Sequence, residues 1–143
     1  MFIGEYNHSL DDKGRIAIPA KFRSALKGGA VATKGLDNCL FVYTKKEWTV
    51  IAKRLASLPF NKANDRALAR HFLAGAMDLD FDNQGRITLP EYLRSFANLN
   101  KKVIIAGLYS RLEIWNEADW KTYKLATDKE SNAIAEALDG VSS

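Results

Sequence analysis

The sequence predicts a mainly β fold with helices (α+β), in which two repeats of one chain share a single β-barrel. A thirteen-residue segment occurs twice, 71 residues apart: Asp11-Asp12-Lys13-Gly14-Arg15-Ile16-Ala17-Ile18-Pro19-Ala20-Lys21-Phe22-Arg23 and Asp82-Asn83-Gln84-Gly85-Arg86-Ile87-Thr88-Leu89-Pro90-Glu91-Tyr92-Leu93-Arg94. Asp, Gly, Arg, Ile, Pro and the final Arg hold the same places in both. Each copy carries a short alternating apolar run between a glycine turn and a proline, the pattern of a half-buried strand. The correspondence continues at an offset of 72, from Val31–Leu36 to Val103–Leu108, from Phe41 to Glu113 and from Trp48 to Trp120. A long period met only twice marks a duplication, not a solenoid. Neither half has strands enough to bury an apolar face alone, so the halves are expected to pack about a pseudo-twofold axis.

The elements follow in order within each copy. Asp-x-x-Gly fits a type I turn, with Asp first and Gly fourth. The carboxylates of Asp11 and Asp82 can accept backbone N–H groups inside the turn, and Gly14 and Gly85 can take a positive φ at its exit. A strand follows, with Ile16 and Ile18 facing the core and Arg15 and Ala17 outward; Ile87, Leu89, Arg86 and Thr88 repeat that alternation. Pro19 and Pro90 then end the strands and are expected as first residues of short amphipathic helices. Each half thus reads strand, turn, strand, short helix, strand, turn, strand and the start of a longer helix.

Between the halves, Trp48, Ile51, Leu55 and Leu58 fall at helical spacing until Pro59, and Leu68, Phe72 and Met77 continue the apolar theme. Lys62, Arg66 and Arg70 on the other face read as solvated. The Ala-rich tail from Lys121 to Ser143 reads as one helix that frays. The expected organisation is repeat 1 over 5–47, connecting helices over 48–75, repeat 2 over 76–119, and a C-terminal helix with a frayed tail over 120–143.

Composition narrows the function classes. No apolar run approaches the ~18 residues that span a bilayer, and Met1-Phe2-Ile3-Gly4-Glu5 has no signal-peptide character. The cytosol is therefore the expected compartment, with no membrane partner. Cys39 is the lone cysteine, in the apolar run to Tyr43, and reads as a small buried hydrophobe. His8 and His71 stand singly, so no metal or other cofactor is expected. The net charge of +4 is unevenly placed: +3 over residues 1–50, +4 over 51–75, −2 over 76–120 and −1 over 121–143. The positive N-terminal half favours a polyanionic partner, although a solvated face explains the charge equally well.

The unit Asp11-x-x-Gly14-Arg15-Ile16-x-Ile18-Pro19 resembles the swapped-hairpin (double-psi) barrel of AbrB-like transcription factors and antitoxins, in which two chains interlock their hairpins. Here both units lie in one chain. Together with Met1-Phe2-x-Gly4, Leu10-Asp11-x-Lys13-Gly14-Arg15 and Leu112-Glu113-Ile114-Trp115, the duplication resembles the MraZ family over roughly residues 1 to 120. That resemblance implies a bacterial regulator of transcription, found in the cytoplasm on the nucleoid. It implies binding to direct repeats in double-stranded DNA upstream of the division and cell-wall gene cluster, including the regulator's own promoter, as a repressor. It also implies assembly of the chain with itself into a ring. The family's DNA-contacting arginine maps onto Arg15 and Arg86, and its acidic residue onto Asp11 and Asp82. Lys13 is replaced by Gln84 and Lys21 by Glu91, which sets the two halves apart.

The residues themselves bear on the same roles. An outward arginine at a strand root can pair bidentately with guanine O6 and N7. Lys13 suits phosphate, Gln84 suits phosphate or an adenine edge, and Lys21 is a further candidate DNA-binding residue. The competing role for Arg15 and Arg86 is an ion pair with Asp11 and Asp82, four residues earlier. No Gly-x-Ser-x-Gly, P-loop or metal motif is present, and the second repeat has no counterpart of His8 and Ser9, so an enzyme is not expected. An antitoxin-like module whose main partner is a toxin protein and a purely structural ring are the other readings.

Overall fold

The computed structural model describes residues 1–138. The first half comprises β1 (Phe2–Ser9), β2 (Arg15–Ala17), α1 (Ala20–Arg23), β3 (Ala30–Lys34), β4 (Leu40–Thr44) and α2 (Lys45–Ala56). Then come α3 (Ala63–Ala69) and a π-helical turn over Arg70–Ala74. The second half comprises β5 (Met77–Leu79), β6 (Arg86–Thr88), α4 (Glu91–Phe96), β7 (Lys102–Tyr109), β8 (Leu112–Asn116) and α5 (Glu117–Lys129), followed by α6 (Ser131–Glu136). Equivalent residues start the long helices of the two halves. Thr44 caps α2 by accepting from Glu47 N at 3.1 Å, and Asn116 caps α5 by accepting from Asp119 N at 3.0 Å.

Six strands form an antiparallel sheet in the order β1-β7-β8-β4-β3-β5, and β2 pairs with β6 as a separate ribbon. The order is pseudo-symmetric about the β8–β4 seam, and it exchanges strands between halves. β1 of the first half lies on β7 of the second, with Phe2 opposite Tyr109 and Ser9 opposite Lys102. β5 of the second lies on β3 of the first, from Ala30–Leu79 to Ala32–Met77.

Both faces of the sheet are covered. On one, Ile16, Ile18, Phe22, Leu26, Ile87, Leu89 and Leu93 from the ribbon and short helices pack with Val42, Val103, Ile105, Leu112 and Ile114. On the other, Phe41, Tyr43, Phe72, Ile104 and Trp115 pack under Trp48, Ile51 and Leu55 of α2 and Trp120 of α5. This double covering explains why β4 and β8 lack alternation: Leu40 to Tyr43 and Leu112 to Asn116 are all buried.

The structure departs from the sequence reading at several points. The expected barrel is not closed: among the described residues, the one strand-type pairing between sheet and ribbon is an isolated bridge between Leu10 and Ile16. β2 and β6 are three residues long and end one residue short of Pro19 and Pro90, which offer no N–H to extend a ladder. Both prolines sit one place before their helices, with extended ψ values of 134° and 154°, and so precede the first helical residue. Met77 opens β5 and does not continue the helix. The tail is two helices broken at Glu130 (φ −101°, ψ 7°). The expected fraying at the chain end falls on 139–143, outside the described residues.

Candidate nucleic-acid interface

The two repeated segments build two nearly identical turns. In the first, Asp11 O accepts from Gly14 N at 3.0 Å and Asp11 N donates to Arg15 O at 3.0 Å. In the second, Asp82 O accepts from Gly85 N at 3.1 Å and Asp82 N donates to Arg86 O at 2.9 Å. Gly14 and Gly85 take φ of 80° and 75°, a region that strains residues carrying a Cβ. One carboxylate oxygen of Asp11 accepts from Lys13 N and Arg15 N, both at 2.9 Å, and Asp82 does the same for Gln84 N and Arg86 N at 2.9 Å. The other oxygen pairs with arginine: Arg15 Nε to Asp11 Oδ2 at 2.6 Å, and Arg86 Nε to Asp82 Oδ2 at 2.8 Å.

These bonds favour the ionised carboxylate. The backbone N–H of Arg15 is the main influence holding the Asp11 carboxyl below its ordinary range; the Arg15 side chain and the Lys13 N–H add to it, and partial desolvation opposes them. The Arg86 N–H does the same for Asp82, supported by the Gln84 N–H and the Arg86 side chain.

The ribbon brings both arginines onto one face. Arg15 stands opposite Thr88, Ala17 opposite Arg86, and Ile16 opposite Ile87. Residues opposite one another share a side of the ribbon, so Ile16 and Ile87 point into the core while Arg15, Ala17, Arg86 and Thr88 share the outer side. The arginines are diagonal neighbours, a relation that separates roots by about 7–8 Å. Their side chains keep 33% and 28% exposure, and each ion pair runs through Nε. Among the described residues, Nη1 and Nη2 of both remain uncommitted. The ion pair and an outside contact therefore use different nitrogens of the same guanidinium.

The other sequence-derived residues fall around this pair. Lys13 and Gln84 are exposed at the tips of the turns, next to Gly14 and Gly85. Lys21 lies on α1, where its Nζ donates to the Tyr6 hydroxyl at 2.6 Å and sits 5.2 Å from that ring's centroid. Glu91 replaces it at the start of α4.

Two residues that sequence reasoning left without a role join the site from behind. Arg23 Nε donates to Ile18 O at 2.8 Å and Arg94 Nε to Leu89 O at 2.9 Å. Both close the thirteen-residue segment, and their identity in the two copies was the available signal.

Elsewhere, Cys39 is buried with its thiol against Leu36 O, and desolvation pushes its pKa up. His8 is pushed down by desolvation and by the charge of Arg23. Among the described residues no three His, Cys, Asp or Glu side chains cluster to hold a metal ion, and no helix is long and apolar enough to cross a membrane.

Comparison with known proteins agrees with this architecture. The family model described as "MraZ protein, putative antitoxin-like" matches residues 1–71 and again 72–140, so the two matches meet within the π-helical turn. The "Transcriptional regulator MraZ" of Syntrophomonas wolfei is 51% identical over 138 residues, covering 96% of each chain. Its namesake in Natranaerobius thermophilus is 47% identical over 138 residues with the same coverage. That of Halothermothrix orenii is 48% identical over 139 residues, 97% of each chain. A duplicated turn-strand-proline unit, strands exchanged between halves and near full-length similarity to these relatives lead to one conclusion: this chain belongs to the MraZ family.

Proposed function

We propose that the chain is a sequence-specific DNA-binding regulator of transcription, with the β2–β6 ribbon as its reader. One observation carries the reading: two arginines share the outer face of a two-stranded ribbon, each anchored through Nε with its Nη edge uncommitted. The major groove of B-DNA, about 12 Å wide, admits a two-stranded ribbon, and an arginine edge matches guanine O6 and N7. Diagonal roots about 7–8 Å apart suit bases in one short site. Lys13 at the first tip and Lys21 on α1 supply phosphate contacts, and Gln84 at the second tip meets phosphate or an adenine edge. Asp11 and Asp82 shape the turns without touching DNA, since phosphates repel carboxylates.

The names of the relatives support a role in transcription. The DNA bound is direct repeats upstream of the division and cell-wall gene cluster, including this chain's own promoter, and the effect is repression. One ribbon is a small reader, so several copies act together by avidity. A head-to-tail contact that closes gives a ring, and the segment from Trp48 to Met77, whose last helical residue is Ala74, contributes to it. Val50 and Leu68 are exposed there. The assembly works in the cytoplasm, on the nucleoid.

The test is affinity for promoter duplex at two salt concentrations, with thermal melting as a folding control. Arg15→Ala is expected to cost about 1–3 kcal/mol per engaged site and to relax preference at one position. Arg86→Ala is expected to lose less, because its turn carries the neutral Gln84 at the tip where the Arg15 turn carries Lys13. Lys13→Ala mainly lowers the salt slope, by about one. Wild-type affinity in a well-folded Arg15→Ala, Arg86→Ala double variant would remove the site. Light scattering showing only monomer at micromolar concentration, with tight binding intact, would remove the ring.

A further inference from the structure

Each reader turn is seated on the opposite repeat. Leu89 N donates to Gly14 O at 2.8 Å, and Ile18 N donates to Gly85 O at 3.3 Å. Behind those contacts stand the last arginines of the repeated segments. Arg94 holds Leu89 O and also covers Gly14: a Cβ added there would lie 2.8 Å from Arg94 Nε and 2.9 Å from its Cζ. Arg23 holds Ile18 O and covers Gly85 in the same way, at 2.7 Å from both Nε and Cζ. Gly14 and Gly85 immediately precede Arg15 and Arg86. The guanidinium of one half therefore packs against the backbone that aims the reader of the other.

We infer that Arg94 is the positioning residue for Arg15, and Arg23 for Arg86, so that each DNA reader is aimed by the opposite repeat. The inference rests on Arg15 and Arg86 being the DNA contacts. Its physical basis is preorganisation: a base contact needs its side chain held to within about half an ångström, by neighbours that are themselves fixed. Asp11 and Asp82 fix each arginine to its own turn. Arg94 and Arg23 fix the turns to the ribbon. A lysine at either place keeps the charge and one donor but lacks the planar group that covers the glycine.

A crossed double-mutant cycle tests the assignment, using the full chain and a duplex selected by it from random oligonucleotides. Binding is measured at two salt concentrations, both low enough that weakened variants still bind. Arg94→Ala is expected to weaken binding about tenfold, a typical size for coupling between contacting groups. It should add less than about twofold to Arg15→Ala while adding its full effect to Arg86→Ala. Arg23→Ala should show the mirror pattern, and the salt slope should not change for either. If melting shows that an alanine variant is not folded, the lysine variant replaces it in the cycle and is expected to give the same crossed pattern. Losses that add equally in both reader backgrounds would overturn the assignment, as would coupling of Arg94 to Arg86. A salt slope reduced by about one would overturn it too, by making Arg94 or Arg23 a phosphate contact in its own right. Wild-type affinity in the Arg15→Ala, Arg86→Ala double variant would instead overturn the DNA reading, and this inference with it.

Discussion

The Asp11 and Asp82 carboxylates each spend one oxygen on the backbone of the turn and the other on an arginine. Both are held below the ordinary range, chiefly by the backbone N–H of Arg15 and Arg86. A carboxylate with a lowered folded pKa stabilises the fold fully above its unfolded value, about 3.9 for aspartate. That contribution is lost as pH falls through the lower folded value. Lowering the pH from neutrality through that window should therefore reduce the melting temperature, and an Asp11→Asn, Asp82→Asn variant should lose less over the same range. An equal fall in both would mean that other carboxylates dominate. Gly14→Ala should cost about 1–2 kcal/mol from its positive φ alone, and more through contact with Arg94; denaturant unfolding reads the difference. The i to i+4 spacing made the ion pair visible in sequence, as the rival to a DNA contact. Its use of Nε alone, which reconciles the two roles, depends on rotamers that spacing does not specify. Likewise nothing local to Gly14 points to Arg94, which is distant along the chain and comes near only through the exchange of strands.

The ribbon is the element on which the proposed function turns, and it is slight. Two strands of three residues have no stability of their own in water, so the ribbon depends on what Ile16 and Ile87 bury beneath it. These two face each other across the ladder at 0% and 1% exposure. Ile87→Ala should destabilise the protein by about 2–5 kcal/mol, as read by denaturant unfolding. Below its melting point the variant should bind DNA more weakly through both readers, because the register that sets them side by side is loosened. Loss of stability with unchanged affinity would show that the turns hold their arginines without the ladder. The alternation of Ile16, Ile18, Ile87 and Leu89 with outward Arg and small residues was legible, and all four apolar residues are buried. The pairing of β2 with β6 was not legible, because three-residue segments 71 positions apart carry too little pattern to set a register. Met77 was misread for a similar reason. A single apolar residue after a helix fits a last helical turn and a first strand residue equally well.

For the molecule as a whole, the duplication was visible as a repeat, and strand exchange within one chain was visible only through the resemblance to proteins whose two chains interlock. The expectation of a closed barrel failed because edge strands β1 and β5 end the sheet while the ribbon lies across its face. Exchange makes the halves interdependent. A fragment of residues 1–50 holds β1 without β7, and β3 without β5. It should unfold or self-associate, with β1 of one copy taking the place beside β3 that β5 occupies in the intact chain. A stable monomeric fragment that unfolds cooperatively, seen by sedimentation and melting, would show that a half folds alone.

The same exchange bears on what a protease would do to the protein. Phe60, 86% exposed in the loop between α2 and α3, is an open site for cleavage after an aromatic residue. A cut there separates the repeats covalently, yet β1 stays laced to β7 along eight residue pairs, and the buried face between ribbon and sheet is drawn from both pieces. The nicked chain should migrate as two bands under denaturing conditions and as one particle under native ones, with both arginines still side by side. The peptide link between the repeats would then serve to deliver the two halves together at equal number, much as a tether does, while cohesion after folding comes from the interlaced strands.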